Sequence, residues 1–477
     1  MGINHSSSTL SERETNFIIQ LQENWVIDKK GKDIKPAKLS KTISAFANSN
    51  GGELYVGISH KEDKTVYFWD GFCSEEDTNP IIALLDDILP SYEDYSVETL
   101  ISNAYSPKST VLRITIHKTQ TIIYASDKKT YVRHGVQNLP CNTDEKLLRL
   151  KMDKGIASYE DEVTQCTFDE IKSSNVLSSF IARTVPQTAP YDWLRSQRIM
   201  NQSARITVAG VMLYDECPQA ILPKQSAVRI LRYHTDEKEG SRQTLEDGFP
   251  LSIEGDAYTL IRETVSKVRE IVESTNVVSQ AGTEAKKYPI VTLHEIITNA
   301  ILHRDYSILR DIQVRIFTNR IEIESPGLLP GHITLDNILY EQFSRNPKLV
   351  RLISKFPSPP NKDVGEGLNT AFAAMLEMQL QKPQIIETES SVIVIIKHER
   401  LADAETLVMQ YMETHDTISN AVARELTGIS DANKMKRVFI RLKNKGYLNI
   451  VPGTRSTATL WEKLSVQSES EDQLTLY

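Results

Sequence analysis

Leu293–Ser307 reads LHEIITNAILHRDYS, and its spacing predicts a helix with two unlike sides. Leu293, Ile296, Ile297, Ala300 and Ile301 recur at helical intervals and form a core stripe, while Glu295, Asn299 and His303 line up along another side. A carboxylate and a carboxamide one turn apart can divide labour on a nucleotide: the carboxylate orients an attacking water and the amide oxygen ligates Mg²⁺. The helix then ends in the charged string His303, Arg304, Asp305.

Downstream, DIQVRIFTNRIEIESPGLLP alternates like a pair of strands and turns at Pro326-Gly327. RNPKLVRLI follows, and KDVGEGLNT places Gly365 and Gly367 at a loop-to-helix junction, where backbone N–H groups can approach phosphate oxygens. Arg345 and Asn346 precede Pro347, which suits the first turn of a helix, so this pair reads either as a cap or as a ligand contact.

Taken in order, these segments resemble the GHKL ATPase family, and most closely the divergent branch of RecG-like proteins and transcriptional regulators. That branch carries NAxxHRDY, as Asn299–Tyr306 do, and SPG, as Ser325–Gly327 do. The resemblance implies an α/β sandwich over about 285–400 that binds ATP with Mg²⁺, with Glu295 as general base and Asn299 as the Mg²⁺ ligand. It makes Arg304, Asp305, Gly327, Arg345, Asn346, Gly365 and Gly367 the candidate nucleotide contacts. Ser325-Pro326 stand where typical members carry the adenine-reading aspartate.

Near the N-terminus, SKTISAFANSNGGELYVGIS predicts a helix burying Ile43 and Phe46, a Gly51-Gly52 turn and an alternating strand from Leu54 to Ile58. TYVRHGVQNLPC predicts a strand and a turn, with Arg133 and His134 near the strand's end, exposed or in contact with phosphate. Residues of about 20–150 resemble the Schlafen-like AlbA-type domain through AFANSNGG and the later YVRHG. Some Schlafen relatives cleave tRNA with a metal held by three acids. Glu23 and Asp28 keep the spacing of the first two, and Lys30 follows like the family lysine, so the resemblance implies Glu23 and Asp28 as acids for Mg²⁺ or Mn²⁺. Ser59 and His60 stand where the third acid belongs, and Asp63 lies just beyond.

Three helical stretches close the chain: AETLVMQYMETHD, ISNAVARELTG and SDANKMKRVFIRLKNKG, the last burying Met435, Val438, Phe439 and Leu442. A hairpin around Pro452-Gly453 follows, and the order resembles a winged helix-turn-helix. Lys434, Lys436, Arg437, Arg441 and Lys443 with Arg455 are the candidate nucleic-acid contacts, since no acid interrupts the run from Lys434 to Lys445. A solvated basic face or a protein-docking unit is the other reading.

The whole chain of 477 residues, 40% hydrophobic and 25% charged, with a net charge of -8, excludes a uniformly basic nucleic-acid coat. No apolar run reaches the roughly 18 residues of a membrane span. Cys73, Cys141, Cys166 and Cys217 show neither zinc nor disulfide spacing, and no basic and apolar leader opens the chain, so a cytoplasmic protein is expected. The expected fold is α/β and α+β, multidomain: 1–155 AlbA-type, 156–285 a middle α/β region with a strand-like GVMLY, 286–400 GHKL-like, 401–463 winged helix and 464–477 an acidic tail. Three functions fit. The chain is a nucleotide-controlled nucleic-acid-binding (DNA or RNA) bacterial regulator or antiphage defence protein, an ATP-controlled Schlafen-like nuclease, or a non-catalytic assembly subunit. A homo-oligomer and a partner protein from the same operon are expected.

Overall fold

The computed structural model describes residues 5–60, 66–105, 109–222, 226–279, 282–285, 287–360, 367–399, 404–427, 429, 431–451 and 459–464. Two compact units emerge: 1–163 with 207–209 and 327–348, and 164–206 with 210–326 and 349–477.

In the first unit, β1 (His5–Leu10), α1 (Glu12–Gln20), β2 (Ile27–Lys30), α2 (Pro36–Asn48), β3 (Gly52–Val56), α3 (Asn79–Ile88), β4 (Tyr95–Ser102) and β5 (Thr110–Ile116) build a five-stranded sheet in the order β1-β4-β5-β3-β2. β2 and β3 run parallel, with Asp28 opposite Leu54, and β3 is antiparallel to β5. α2 starts at Pro36, where the missing N–H is harmless, and ends before Gly51, whose φ of +77° carries the turn into β3. Leu39, Ile43, Phe46 and Ala47 of α2 are wholly buried in one cluster with Leu54, Val56 and Ile114 of the sheet and Leu85 of α3.

The last residue of α2 is polar, and it ties the unit together. Asn48 Nδ2 donates to Ile123 O at 2.8 Å, Tyr131 O at 3.0 Å and Ser44 Oγ at 3.2 Å, while its Oδ1 accepts from Ile123 N–H at 2.9 Å. It thereby fixes the hairpin β6 (Tyr131–His134) and β7 (Gln137–Pro140) beside α2. Lys154, after α4 (Asp144–Asp153), is buried and donates to Ala47 O at 2.6 Å and to Thr119 O at 2.5 Å.

The second unit holds a six-stranded sheet of β8 (Val228–Arg232), β9 (Leu251–Ile253), β10 (Ile312–Ile316), β11 (Arg320–Pro326), β12 (Gln384–Glu387) and β13 (Ser391–Lys397), ordered β9-β8-β10-β11-β13-β12. β8 and β10 are parallel and the other neighbours antiparallel. Helices α5 (Ala257–Glu273), α6 (Ile290–Leu302) and α7 (Gly367–Glu377) pack together, and α6 also contacts β11. The predicted stripe of α6 is buried throughout, at Leu293, Ile296, Ile297, Ala300 and Ile301. The fold is thus mixed α/β and multidomain, with the expected strand pair present as β10 and β11 in antiparallel register.

GVMLY departs from its expectation. Val208–Tyr214 is a helix, and Val211, Met212, Leu213 and Tyr214 are all fully buried. A helix buried on every side carries no polar period, so its apolar run reads like a strand.

The chain's end builds a small module: α8 (Ala404–Tyr411), β14 (Thr417–Ser419), α9 (Asn420–Thr427), α10 (Ala432–Asn444), β15 (Leu448–Ile450) and β16 (Leu460–Lys463), with sheet order β14-β16-β15. Met435, Val438, Phe439 and Leu442 are buried against Val408, Ile418 and Trp461. Pro452, Gly453 and Arg455 lie outside the described residues, as do Asp63 and the tail from 465.

Replacing Asn48 with Ala leaves buried peptide groups without partners, which should lower stability by about 3 kcal/mol. Urea unfolding of Asn48→Ala against wild type checks this, and Ser44→Ala, which removes a more replaceable partner, should cost less.

Candidate functional site

On α6, Asn299 Nδ2 donates to Glu295 Oε1 at 2.9 Å, so the two side chains one turn apart meet. Donation through the amide nitrogen turns Oδ1 away from the carboxylate. Both residues are half-buried, unlike their neighbours Ile296 and Ala300 in the core. A Cβ built on Gly367, the first residue of α7, would overlap the Glu295 carboxylate, so only glycine permits this approach. The carboxylate therefore lies against the positive end of α7. Thr292 Oγ1 donates to Ala371 O at 2.8 Å and fixes the two helices against each other.

The charged string after α6 serves the fold. Arg304 is 1% exposed; its Nη2 donates to Ile308 O at 2.9 Å and to Arg310 O, and its guanidinium lies over the Tyr306 ring. Asp305 is equally buried, its N–H donating to Pro326 O at 2.8 Å and its carboxylate accepting from Ser307 N–H at 2.9 Å. Ser325 Oγ donates to Ala300 O at 2.8 Å, tying the end of β11 to α6. Arg304 and Asp305 thus hold the loop between α6 and β10.

Three further candidates belong to the first unit. Gly327 has a φ of +111°. Arg345 and Asn346 are both buried; Arg345 Nη2 donates to Leu328 O at 2.8 Å, and its carbonyl accepts from Ser158 Oγ at 2.8 Å. Pro347 opens the following helix, and the buried Glu160 accepts the Lys348 N–H at 2.7 Å. Gly365 lies outside the described residues.

In the N-terminal cluster, Glu23 Oε1 accepts from Lys29 N–H at 3.0 Å, and Asp28 Oδ1 accepts from the same N–H at 2.9 Å and from the Lys30 ammonium. Asp28 Oδ2 accepts from Arg133 Nη1 at 3.1 Å. Arg133 is buried, contrary to an exposed strand end, and its remaining donors reach Asn24 O at 2.9 Å, Ile27 O at 3.3 Å and Asn138 Oδ1 at 2.8 Å. Burial, and after it the hydrogen bond and charge of Asp28, raise the Glu23 carboxyl above its usual range. Lys29 is brought down to about 8 by burial; its ammonium donates to Ile19 O at 2.7 Å and lies 4.3 Å from the Tyr67 ring centroid.

Lys30 and Arg133 both pair with Asp28. Ser59, at the third acid's place, donates to Asp70 Oδ2 at 2.8 Å. No cluster of three His, Cys, Asp or Glu side chains suited to a metal occurs among the described residues. Among the described residues, two of the three acids that the resemblance implies are in place, and Asp63 lies outside them.

On α10, Lys434, Lys436, Arg437, Arg441 and Lys443 are exposed. Glu405 of α8 pairs with Arg441 and Lys445, each at 2.6 Å, so its single negative charge offsets one of the two cations on the basic face. Sequence reasoning missed this pairing because it spans 36 and 40 residues. It also missed Asn48, although a polar residue directly after the apolar Ala45-Phe46-Ala47 run was a usable signal.

Residues 23–142 match the family described as "Schlafen, AlbA_2". The chain carries a Schlafen AlbA_2 domain. Residues 310–396 match the family described as "Putative ATP-dependent DNA helicase recG C-terminal", an HATPase-type domain spanning β10 to β13 and beginning after α6. A crystal structure of the DIP2311 protein from Corynebacterium diphtheriae is similar at 17% identity and a TM-score of 0.43, covering 96% of this chain and 92% of that chain. No curated protein matches the chain. A Schlafen AlbA_2 domain joined to a RecG-like HATPase-type domain is the composition of a nucleic-acid-associated, ATP-binding protein. No described helix is long and apolar enough to cross a membrane.

In the Schlafen AlbA_2 domain the raised Glu23 carboxyl has a signed consequence. The folded state binds this proton more readily than the unfolded chain, so stability falls as pH rises from the ordinary carboxylate range through the raised value. Glu23→Gln should therefore raise the melting temperature at pH 7 to 8 and change it little below pH 4. Scanning calorimetry of both proteins across that range checks it.

Proposed function

We propose that the chain is an ATP-binding, nucleic-acid-binding regulator or defence protein of the bacterial kind, in which nucleotide state governs nucleic-acid engagement. The observation that carries this reading is the meeting of Glu295, Asn299 and Gly367. The donor set fits a nucleotide with its metal: one carboxylate, one amide oxygen turned away from it, and a glycine at a helix N-terminus that admits the carboxylate.

In this reading Asn299 would hold Mg²⁺ through Oδ1, and Glu295 would orient and deprotonate an attacking water. Bound Mg²⁺ would supply neutralisation of the charge on phosphate oxygens. Arg304 and Asp305 keep the loop beneath α6 in place, and Thr292 keeps α6 registered on α7.

The Schlafen AlbA_2 domain acts here by binding, because Asp28 is neutralised by Lys30 and Arg133. The C-terminal module has the order helix, strand, two helices and two strands of a winged helix-turn-helix, and it contacts nucleic-acid phosphates through Lys434, Lys436, Arg437 and Lys443. A homo-oligomer in the cytoplasm, working with a partner protein of the same operon, completes the reading.

ATP with Mg²⁺ at about 100 times its Kd should stabilise the protein by about 2.7 kcal/mol, seen as a rise of several degrees in Tm. Asn299→Ala should abolish the Mg²⁺-dependent part of the rise, while Glu295→Gln should keep the rise and lose ATP turnover. No rise for wild type, or wild-type behaviour of both variants, overturns the reading.

Gly367→Ala should fold normally, since the overlapping atoms end a flexible side chain, yet it displaces the Glu295 carboxylate. ATP turnover should drop by an order of magnitude or more with little change in Tm; full turnover would show that this carboxylate's position is immaterial.

A further inference from the structure

Among the four tryptophans, Trp69, Trp193 and Trp461 are buried, whereas Trp25 is 48% exposed. An exposed indole is unremarkable on a loose loop, but this one stands on a fixed turn. Asn24 Oδ1 accepts from Val26 N–H at 2.8 Å and from Ile27 N–H at 3.0 Å, an arrangement that turns the intervening residue outward. Asn24 O accepts from Arg133 Nη2 at 2.9 Å, and Val26 O accepts from Glu53 N–H at 2.7 Å. The residue after Arg133 is His134, also exposed, and its ring centroid lies 5.4 Å from that of Trp25 at an interplanar angle of 52°. The buried guanidinium therefore positions both rings: it holds the turn that carries Trp25 and lies on the strand that carries His134.

We propose that Trp25 and His134 form a stacking platform for an unpaired base of single-stranded nucleic acid, with Arg133 as its positioning residue. The inference rests on the reading that the N-terminal domain binds nucleic acid, and it adds which form is bound and where. Base stacking needs a flat ring held still with one face in water, and every base has a face to offer. The cluster under the platform holds Lys29, Lys30 and Arg133 against Glu23 and Asp28, an excess of one positive charge that favours a polyanion. A duplex keeps its bases stacked on each other and gives the platform nothing to hold.

The test uses full-length protein with 20-nucleotide oligo-dT and oligo-U, and a duplex of the same length, followed by fluorescence anisotropy and by quenching of tryptophan emission. Binding of either single strand should quench the emission, which reports on Trp25 because the other indoles are buried. Trp25→Ala should weaken single-strand binding about tenfold or more, leave its salt dependence and the duplex affinity unchanged, and keep the wild-type Tm. Trp25→Phe should restore most of the affinity. Wild-type affinity of Trp25→Ala for both single strands, with no quenching in wild type, overturns the platform while leaving nucleic-acid binding in place. Binding to none of the three probes overturns the underlying reading and the platform with it. Loss of self-association in Trp25→Ala with unchanged oligonucleotide affinity assigns the rings to a protein contact instead.

Discussion

A guanidinium in a protein interior is tolerated only when its N–H groups meet acceptors, because removing the charge from water costs several kcal/mol. Two such groups, Arg133 and Arg304, stand in the chain's two recognisable motifs, one in each unit. Arg133 joins the turn at Asn24, the acid Asp28 and the β6–β7 hairpin, and Arg304 closes the loop between α6 and β10 on its own carbonyls. Each is polar, yet each works as packing does, by fixing which backbone segments lie together. Both arginines therefore constrain geometry, and beside them stand the exposed Trp25 and His134 in one unit and the half-buried Glu295 and Asn299 in the other.

This division explains what could be read from the sequence. The period of Leu293–Ile301 and the alternation around β10 and β11 are local signals, and burial follows them residue by residue. The glycine turn after α2 is local too, since Gly51 must take a positive φ. The direction in which Arg133 points is not local: its acceptors lie 109 and 106 residues back. The placement of 327–348 with the first unit is likewise a matter of long-range packing, and no composition change marks it. GVMLY misleads for a different reason, because a helix enclosed on all sides has lost the polar face that would have identified it.

At the candidate nucleotide site, the legible part was the pair on α6 and the illegible part was its partner. A GEG sequence suggests a phosphate loop, but the overlap between a Gly367 Cβ and Glu295 gives that glycine a further reason to exist. The carboxylate presses on the N-terminus of α7, the place where an anion is favoured. In the proposed reading, an incoming phosphate would compete with Glu295 for this end of the helix.

That competition couples the site to the rest of its unit. Asn299 is bonded to Glu295, Thr292 ties α6 to α7, and Ser325 ties α6 to the end of β11. These bonds join Glu295 and Asn299 to α7 and to β11 through one helix, and only contacts that differ between two states can shift a conformational equilibrium. Sub-ångström changes at such a contact become two-state changes only if a packed element has an alternative position. At this contact the packed element is α7, whose first residue meets Glu295.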